Sequence, residues 1–136
     1  MASKPKVSIS LYTYGWDLKT RKMTIKECVE HAASLDVDGI EIVDKLHLLN
    51  YPNQSVYDLR ELRDYVESFG MKILCYSTYV DNMIRSDRMA TYEEAYKQVL
   101  DDIAEADILG AKIYRPATRE DLENLIKPVL PTLKKI

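Results

Sequence analysis

The residues best suited to ligand chemistry in this sequence are aromatic and follow the first predicted strand. They are Tyr12, Tyr14 and Trp16, in a chain of 136 residues that has ten Tyr, one Trp and one Phe. An aromatic ring can stack on a sugar ring, and a phenolic hydroxyl can hydrogen-bond to the sugar hydroxyls. The same side chains can instead cover the open end of a sheet, so the pattern leaves both interpretations open.

Charged and polar candidates lie at or near the ends of the other predicted strands. They are Glu41, His47, Tyr76 and Arg115. The guanidinium of Arg115 can clamp a phosphate or a carboxylate, or it can pair with Glu41 or Asp44. His47 follows the second predicted strand, where it either lines a substrate mouth or lies exposed. Together with the three aromatic residues, these four form the predicted substrate-binding set.

Glu41 is the candidate that the sequence constrains most. Alternation along the second strand predicts that it lies on the interior face, where a carboxylate must be paired or solvated because unpaired burial is costly. Lys72 and Lys112 are predicted on the same face, with Tyr114 close by. The arrangement indicates either a structural ion pair or the polar floor of a substrate pocket.

The sequence contains no recognisable metal or nucleotide motif. Its two histidines are His31 and His47, and His31 falls beside Glu27 off the apolar stripe of a predicted helix, so we expect it to be exposed. A glycine-rich phosphate loop, a nucleophile elbow and a Cys-x-x-Cys pair are all missing. We therefore predict no metal or cofactor for this chain.

The elements that position these residues repeat along the chain. Each of four units has a short β-rich run, a polar loop and a helix opened by a capping box, in which a hydroxyl and a carboxylate three residues apart bond each other's backbone N–H groups. The four boxes are Thr24–Glu27, Ser55–Asp58, Thr91–Glu94 and Thr118–Asp121. Each is followed by apolar residues at helical spacing.

Strands alternating with helices predict a parallel sheet with right-handed crossovers. The strands are predicted over 7–12, 39–43, 72–77 and 112–115. We expect Ile73, Cys75 and Ile113 on the apolar face, and Tyr76 and Tyr114 on the polar one. An apolar face and a mixed polar face favour helices on one side and a barrel interior on the other, hence half of a (β/α)8 barrel. A flavodoxin-like layered sheet is the alternative.

Several segments resemble the xylose isomerase-like barrel superfamily, which includes sugar-phosphate isomerases and epimerases. The most specific are Leu-Asp-Val-Asp-Gly-Ile-Glu, which leads into the second strand, and Leu-Gly-Ala-Lys, which leads into the fourth. The resemblance covers about residues 6–134 but only the first four of eight βα units. It implies a divalent metal held by a Glu, Asp, His and Glu set on the later strands, so a metal is expected only in a full-length member.

Composition limits the partners. The chain is one domain over 1–136, with 19 Lys and Arg against 22 Asp and Glu for a net charge of −3, so nucleic acid is a poor partner. No apolar run is long enough to span a membrane, and no signal segment opens the chain. Cys28 and Cys75 are predicted as reduced core thiols, which favours a cytoplasmic protein. Open strand edges and an uncovered inner face predict a homo-oligomer, most simply a dimer.

Two functional hypotheses follow. In the first, the chain is the sugar- or sugar-phosphate-contacting half of an isomerase or epimerase and has no turnover alone. In the second, it is a self-assembling half-barrel scaffold, natural or engineered, with no ligand.

Overall fold

The computed structural model describes residues 5–80 and 90–117. In this part of the chain, four parallel strands form one sheet. The strands are β1 (Ser8–Ser10), β2 (Gly39–Val43), β3 (Lys72–Tyr79) and β4 (Ile113–Ala117). The helices are α1 (Gly15–Lys19), α2 (Ile25–Ser34), α3 (Asp44–His47), α4 (Val56–Ser68) and α5 (Tyr92–Leu109), and a 3₁₀ turn covers Leu11–Tyr14.

Strand order separates the two architectures predicted from the sequence. A flavodoxin-like sheet would place β1 between β2 and β3, because its strand order is 2-1-3-4-5. Here the strands pair in chain order, β1-β2-β3-β4, as consecutive strands of a barrel do. The fold is therefore an open α/β sheet consistent with a half (β/α)8 barrel, and the flavodoxin-like alternative is wrong.

The helix ends follow the predicted local signals. Thr24, Ser55 and Thr91 each accept a hydrogen bond from the N–H three residues on, and the carboxylate at that position bonds back to the cap, so three capping boxes are confirmed. The fourth predicted box, Thr118–Asp121, and the helix after it lie outside the described residues. Gly70 and Gly110 follow α4 and α5 with φ of 77° and 75°, a left-handed conformation that glycine adopts without strain.

The core lies between the sheet and the helices. Ile40, Ile42 and Ile73 are buried on the helix-facing side of the strands, against Val29 of α2 and Val66 of α4. A smaller apolar cluster lies under α5, around Val80, Ala95, Val99 and Ile103. None of the helices in the described ranges is long and apolar enough to cross a membrane.

A register irregularity in β3 decides which side chains face which way. Ile40 pairs with Ile73, but Glu41 pairs with Cys75, so Leu74 is an extra residue between them. Such a bulge reverses the alternation of every later residue on the strand. Tyr76 therefore pairs with Ile42 on the helix-facing side. The simple alternation predicted from the sequence is wrong for β3 beyond Ile73.

The same irregularity carries into β4, which pairs with β3. Tyr114 aligns with Tyr76 and turns toward the helices, whereas Ile113 aligns with Cys75 on the inner face and is 58% exposed. The predicted faces of Ile113 and Tyr114 are thus exchanged. Both cysteines are free, as predicted, but only Cys28 is a core thiol, since Cys75 is half-buried on the inner face.

Candidate functional site

The inner face of the sheet carries a polar cluster built from three strands, which we call the inner cluster: Glu41, Cys75, Ser77 and Arg115. One carboxylate oxygen of Glu41, Oε1, accepts hydrogen bonds from Nε and Nη2 of Arg115 at 3.2 and 3.0 Å. Ser77 Oγ donates to the same oxygen and accepts from Arg115 Nε at 3.0 Å. Cys75 Sγ lies 3.9 Å from it. The predicted pairing of Glu41 with a cation is confirmed, and the cation is Arg115.

Strand register explains why these residues meet. Ser77 pairs with both Val43 and Arg115, so the guanidinium lies at the level where β2 ends and α3 begins. The carboxyl ends of parallel barrel strands are where ligand-binding side chains gather. Arg115 Nη1 makes no hydrogen bond with any described residue, which leaves two N–H groups for a ligand.

The inner cluster holds Glu41 in its charged form. Burial raises the pKa of Glu41, but hydrogen bonds from Ser10, Ser77 and Arg115, together with the charge of Arg115, outweigh it and bring the pKa below its usual value. Burial raises the pKa of Cys75, and the Glu41 carboxylate adds to the increase. The cluster is therefore a carboxylate–guanidinium pair beside a neutral thiol at neutral pH.

The lysines predicted to pair with Glu41 lie elsewhere. Lys72 aligns with Gly39 rather than Glu41 and lies 3.4 Å from Glu67, with its side chain 71% exposed. Lys112 is exposed and precedes β4. The expectation for Lys112 fails because it assumed unbroken alternation through β3, and the expectation for Lys72 fails because this lysine aligns two residues before Glu41 along the strand.

A second polar cluster lies on the helix-facing side of β3 and β4, and the sequence reasoning missed it. We call it the acid cluster: Tyr76, Thr78, Asp102, Glu105 and Tyr114. Asp102 Oδ2 accepts from Thr78 Oγ1 at 2.7 Å and from the Tyr114 hydroxyl at 3.0 Å. The Tyr76 hydroxyl donates to Glu105 Oε2 at 2.6 Å. Tyr76, predicted to bind substrate, is thus fully buried under α5 and separated from the inner cluster by the sheet.

The acid cluster shifts the titration of its members. Burial raises the pKa of Asp102 to about 7, and the charges of Asp44 and Glu105 add to the increase, although hydrogen bonds from Thr78 and Tyr114 oppose it. Burial also raises the pKa of Tyr76 and Tyr114. A sequence signal for this cluster exists, because Asp102 lies three residues after Val99 and four before Ala106, on the buried stripe of α5.

The three aromatic candidates after β1 separate into two groups. Tyr12 and Trp16 are 56% and 68% exposed, so both can contact a ligand at the carboxyl end of the sheet. Tyr14 is buried, and its hydroxyl lies 2.7 Å from Nδ1 of His31 on α2. The placement of Tyr14 in the ligand-stacking group is therefore wrong. His31 is exposed, as expected.

His47 is the candidate whose surroundings differ most from expectation. It ends α3 and is buried, with Nδ1 accepting a 2.7 Å hydrogen bond from the N–H of Val43. Burial lowers the pKa of His47 to about 4, against opposing contributions from the backbone of Leu11 and the charge of Glu41. An imidazole that is neutral at physiological pH and bonded to the backbone fixes the turn after β2, so His47 is neither an exposed loop residue nor an open rim residue.

Within residues 5–80 and 90–117, no three His, Cys, Asp or Glu side chains converge to hold a metal ion. Asp81 and Asn82, which follow β3 in the sequence, lie outside the described residues.

Comparisons with known proteins place this geometry in a fold class. No family model matches the sequence, and a search of curated proteins gives no match. Solved structures do match. The probable 3-DHS dehydratase AsbF of Bacillus anthracis, involved in petrobactin synthesis, superposes with a TM-score of 0.61 at 18% identity, over 82% of this chain and 38% of that one.

Two structures from Parabacteroides distasonis are also similar. A sugar phosphate isomerase/epimerase has a TM-score of 0.58 at 14% identity, with 84% of this chain and 43% of that one covered. An uncharacterized protein has a TM-score of 0.58 at 19% identity, with 91% and 48% covered. The chain thus spans less than half the length of these structures. Its fold is that of part of a TIM barrel, in agreement with the half (β/α)8 barrel predicted from the sequence.

Proposed function

We propose that this chain is the ligand-contacting half of a barrel that acts on a sugar or sugar phosphate. The observation that carries the proposal is the inner cluster, in which Arg115, Glu41 and Ser77 converge on the inner face near the carboxyl ends of the strands. A carboxylate acceptor beside a guanidinium suits a polyol, and Nη1 of Arg115, which bonds no residue in the described ranges, suits a phosphate. Tyr12 and Trp16 are exposed and can stack on a sugar ring.

A sugar phosphate isomerase/epimerase shares this fold, and the proposed substrate class is the one that its name gives. The free cysteines and the net charge of −3 support a cytoplasmic protein without a nucleic-acid partner. A role in carbohydrate metabolism is the corresponding proposal.

A titration followed by tryptophan fluorescence tests ligand binding, because Trp16 is the one tryptophan of the chain. Ribose 5-phosphate is expected to change Trp16 emission saturably at millimolar concentration, and ribose more weakly. Arg115→Gln is expected to weaken binding of the phosphate about tenfold, since one charged hydrogen-bonding partner is lost. Arg60→Gln, at an exposed position of α4, is the matched control. No saturable change with either sugar contradicts the proposal.

We further propose that the chain alone does not catalyse aldose–ketose isomerisation or epimerisation. Such reactions need a base near the proton on the carbon next to the carbonyl and an electrophile for the enediolate charge. In barrel enzymes these groups come from the ends of several strands around the closed barrel, and this chain spans less than half of the structures it matches. Turnover by the purified chain that a chelator and mutation of Asp44 or His47 both abolish would contradict this.

The assembly state belongs to the same proposal. An inner face of four strands amounts to about 350 Å², which is comparable in size with the exposed patches at which proteins associate. Ile113 is exposed on that face, and the outer edges of β1 and β4 pair with no described strand. We therefore propose a homodimer. Light scattering at micromolar concentration is expected to give the mass of two chains, and the mass of one chain contradicts it.

Exposed Ile113 also favours the second candidate function, a self-assembling half-barrel scaffold without a ligand. A dimer whose Trp16 emission is unchanged by either sugar would favour the scaffold over the ligand-binding half.

A further inference from the structure

Strand β4 connects the two polar clusters through adjacent residues. It pairs with β3 on one side, and no described strand pairs with it on the other. Tyr114 and Arg115 project to opposite faces of the sheet. The Tyr114 hydroxyl donates to Asp102 of α5 at 3.0 Å, and Arg115 donates to Glu41 of β2. Whatever holds Tyr114 therefore also determines where the Arg115 guanidinium lies.

Asp102 is the group that holds Tyr114. Its Oδ2 atom also accepts from Thr78 Oγ1, which lies 3.1 Å from the Tyr114 hydroxyl, so three side chains from α5, β3 and β4 meet at one buried point. The titratable groups that face Asp102 are Asp44 at the start of α3, Glu105 on α5, Tyr76 on β3 and Tyr114 on β4. Among the described residues, no Lys, Arg or His pairs with Asp102.

We propose that Asp102 is a positioning residue for the inner cluster: through Tyr114 it holds edge strand β4 against α5, and this hold weakens when Asp102 ionises. A buried carboxylate among acidic groups with no cation is costly, and local separation of β4 from α5 lets water solvate it. The inference concerns the Glu41–Arg115 pair itself, so it does not depend on ligand binding.

Linkage sets the size of the effect. The Asp102 pKa is about 7 in the closed structure, and its ordinary value is 3.8 when water reaches it. A carboxyl with these two values favours the open form about tenfold more at pH 8 than at pH 6. The Glu41–Arg115 pair should loosen over the same range, although Glu41 itself is ionised throughout.

Hydrogen exchange followed by NMR on the ¹⁵N-labelled full chain tests this directly. After correction for intrinsic base catalysis, protection of the β4 amides and of the Arg115 Nε–H is expected to fall about tenfold between pH 6 and pH 8. The Nε–H of Arg63, which donates to exposed Asp64, is the internal control and is expected to keep constant protection.

Two variants separate positioning from general stability. Asp102→Asn is expected to abolish the pH dependence at Arg115, whereas Asp101→Asn, at the adjacent exposed position of α5, is expected to retain it. Tyr114→Phe keeps the ring and removes the hydroxyl, so Arg115 Nε–H protection is expected to be lower already at pH 6. If Asp102→Asn does not fold, the protection of the Arg115 Nε–H in Tyr114→Phe still tests the proposal. Equal pH profiles for the wild type and Asp102→Asn, or unchanged protection in Tyr114→Phe, would overturn the proposal.

Discussion

The two faces of strands β3 and β4 hold buried or half-buried carboxylates in different ways. On the inner face, Glu41 has a guanidinium and a hydroxyl as partners, and the pair is partly open to solvent. On the helix-facing side, Asp102 has two hydroxyl partners and acidic neighbours but no described cation. A neutralised and accessible pair can exchange partners with a ligand, whereas an unneutralised buried acid makes packing depend on pH.

Because of this difference, the contributions of Glu41 and Asp102 to stability depend on pH in opposite directions. The pKa of Glu41 is lowered in the folded chain, so its contribution to stability is present above the ordinary value of 4.5 and is lost as pH falls through the folded pKa. The pKa of Asp102 is raised to about 7, so its contribution is complete below 3.8 and is lost as pH rises through about 7. The variants below test this contrast and the register that produces it.

The largest effect on the free energy of unfolding is expected at Gly39 of β2, which lies against the irregular part of β3. A Cβ on Gly39 would lie 2.5 Å from the Lys72 carbonyl oxygen and 2.6 Å from Leu74 Cγ, so backbone must move to admit it. Gly39→Ala is expected to lower the free energy of unfolding by about 3 kcal/mol, as measured by urea denaturation. Gly15→Ala is the matched control, since no atom lies within 4 Å of its Cβ position and its φ is helical. Equal losses for both would mean that the close approach at Gly39 is absent.

A smaller effect is expected at the acid cluster, where the substitution stabilises the fold instead of destabilising it. Asp102→Asn removes a charge that burial disfavours, so at pH 8 it is expected to raise the free energy of unfolding by on the order of 2 kcal/mol. Near pH 4 the wild-type carboxyl is protonated, and the gain should vanish. Thermal unfolding across pH 4–8 measures this, with Asp101→Asn as control. A constant difference across that range would show that Asp102 does not titrate there.

A substitution in the inner cluster is expected to change the free energy of unfolding less, and its pH dependence should appear at acidic pH. Glu41→Gln removes the carboxylate charge from the pair but can keep a hydrogen bond to Arg115, and water around the exposed guanidinium screens the interaction, so a loss of about 1 kcal/mol is expected at pH 7. The loss should shrink as pH falls below 4.5, because Glu41 then protonates first in the unfolded chain and, at lower pH, in the folded chain as well. Urea denaturation measures it, with Glu61→Gln, in an exposed pair with Lys26, as control. A loss that grows on acidification would contradict the lowered pKa.

Local sequence signals predicted the half-barrel well and the site only in part. Capping hydroxyls such as Thr24 act within one helix turn, so their effect is readable from spacing alone. The side on which Tyr76 lies depends on Leu74, an extra residue that exists only relative to β2. The burial of His47 likewise depends on how the turn after β2 packs in three dimensions, which its position in the sequence does not show. Short-range chemistry was therefore predictable, whereas register between strands and the burial of turns were not.

The smallest effect is expected at Lys72, and it tests the predicted pairing of this lysine with Glu41. Lys72 precedes the extra residue of β3 and aligns with Gly39, two residues before Glu41, and its side chain lies 3.4 Å from Glu67, with both groups largely open to water. Exposed pairs contribute little, so Lys72→Gln is expected to change the free energy of unfolding by less than about 0.5 kcal/mol. A double-mutant cycle in urea sharpens the comparison. Glu41→Gln and Lys72→Gln should add, because they share no partner, whereas Glu41→Gln and Arg115→Gln should not. Coupling between Glu41 and Lys72 would mean that the two side chains form an ion pair, as the sequence predicted, and that Lys72 does not bond Glu67 instead.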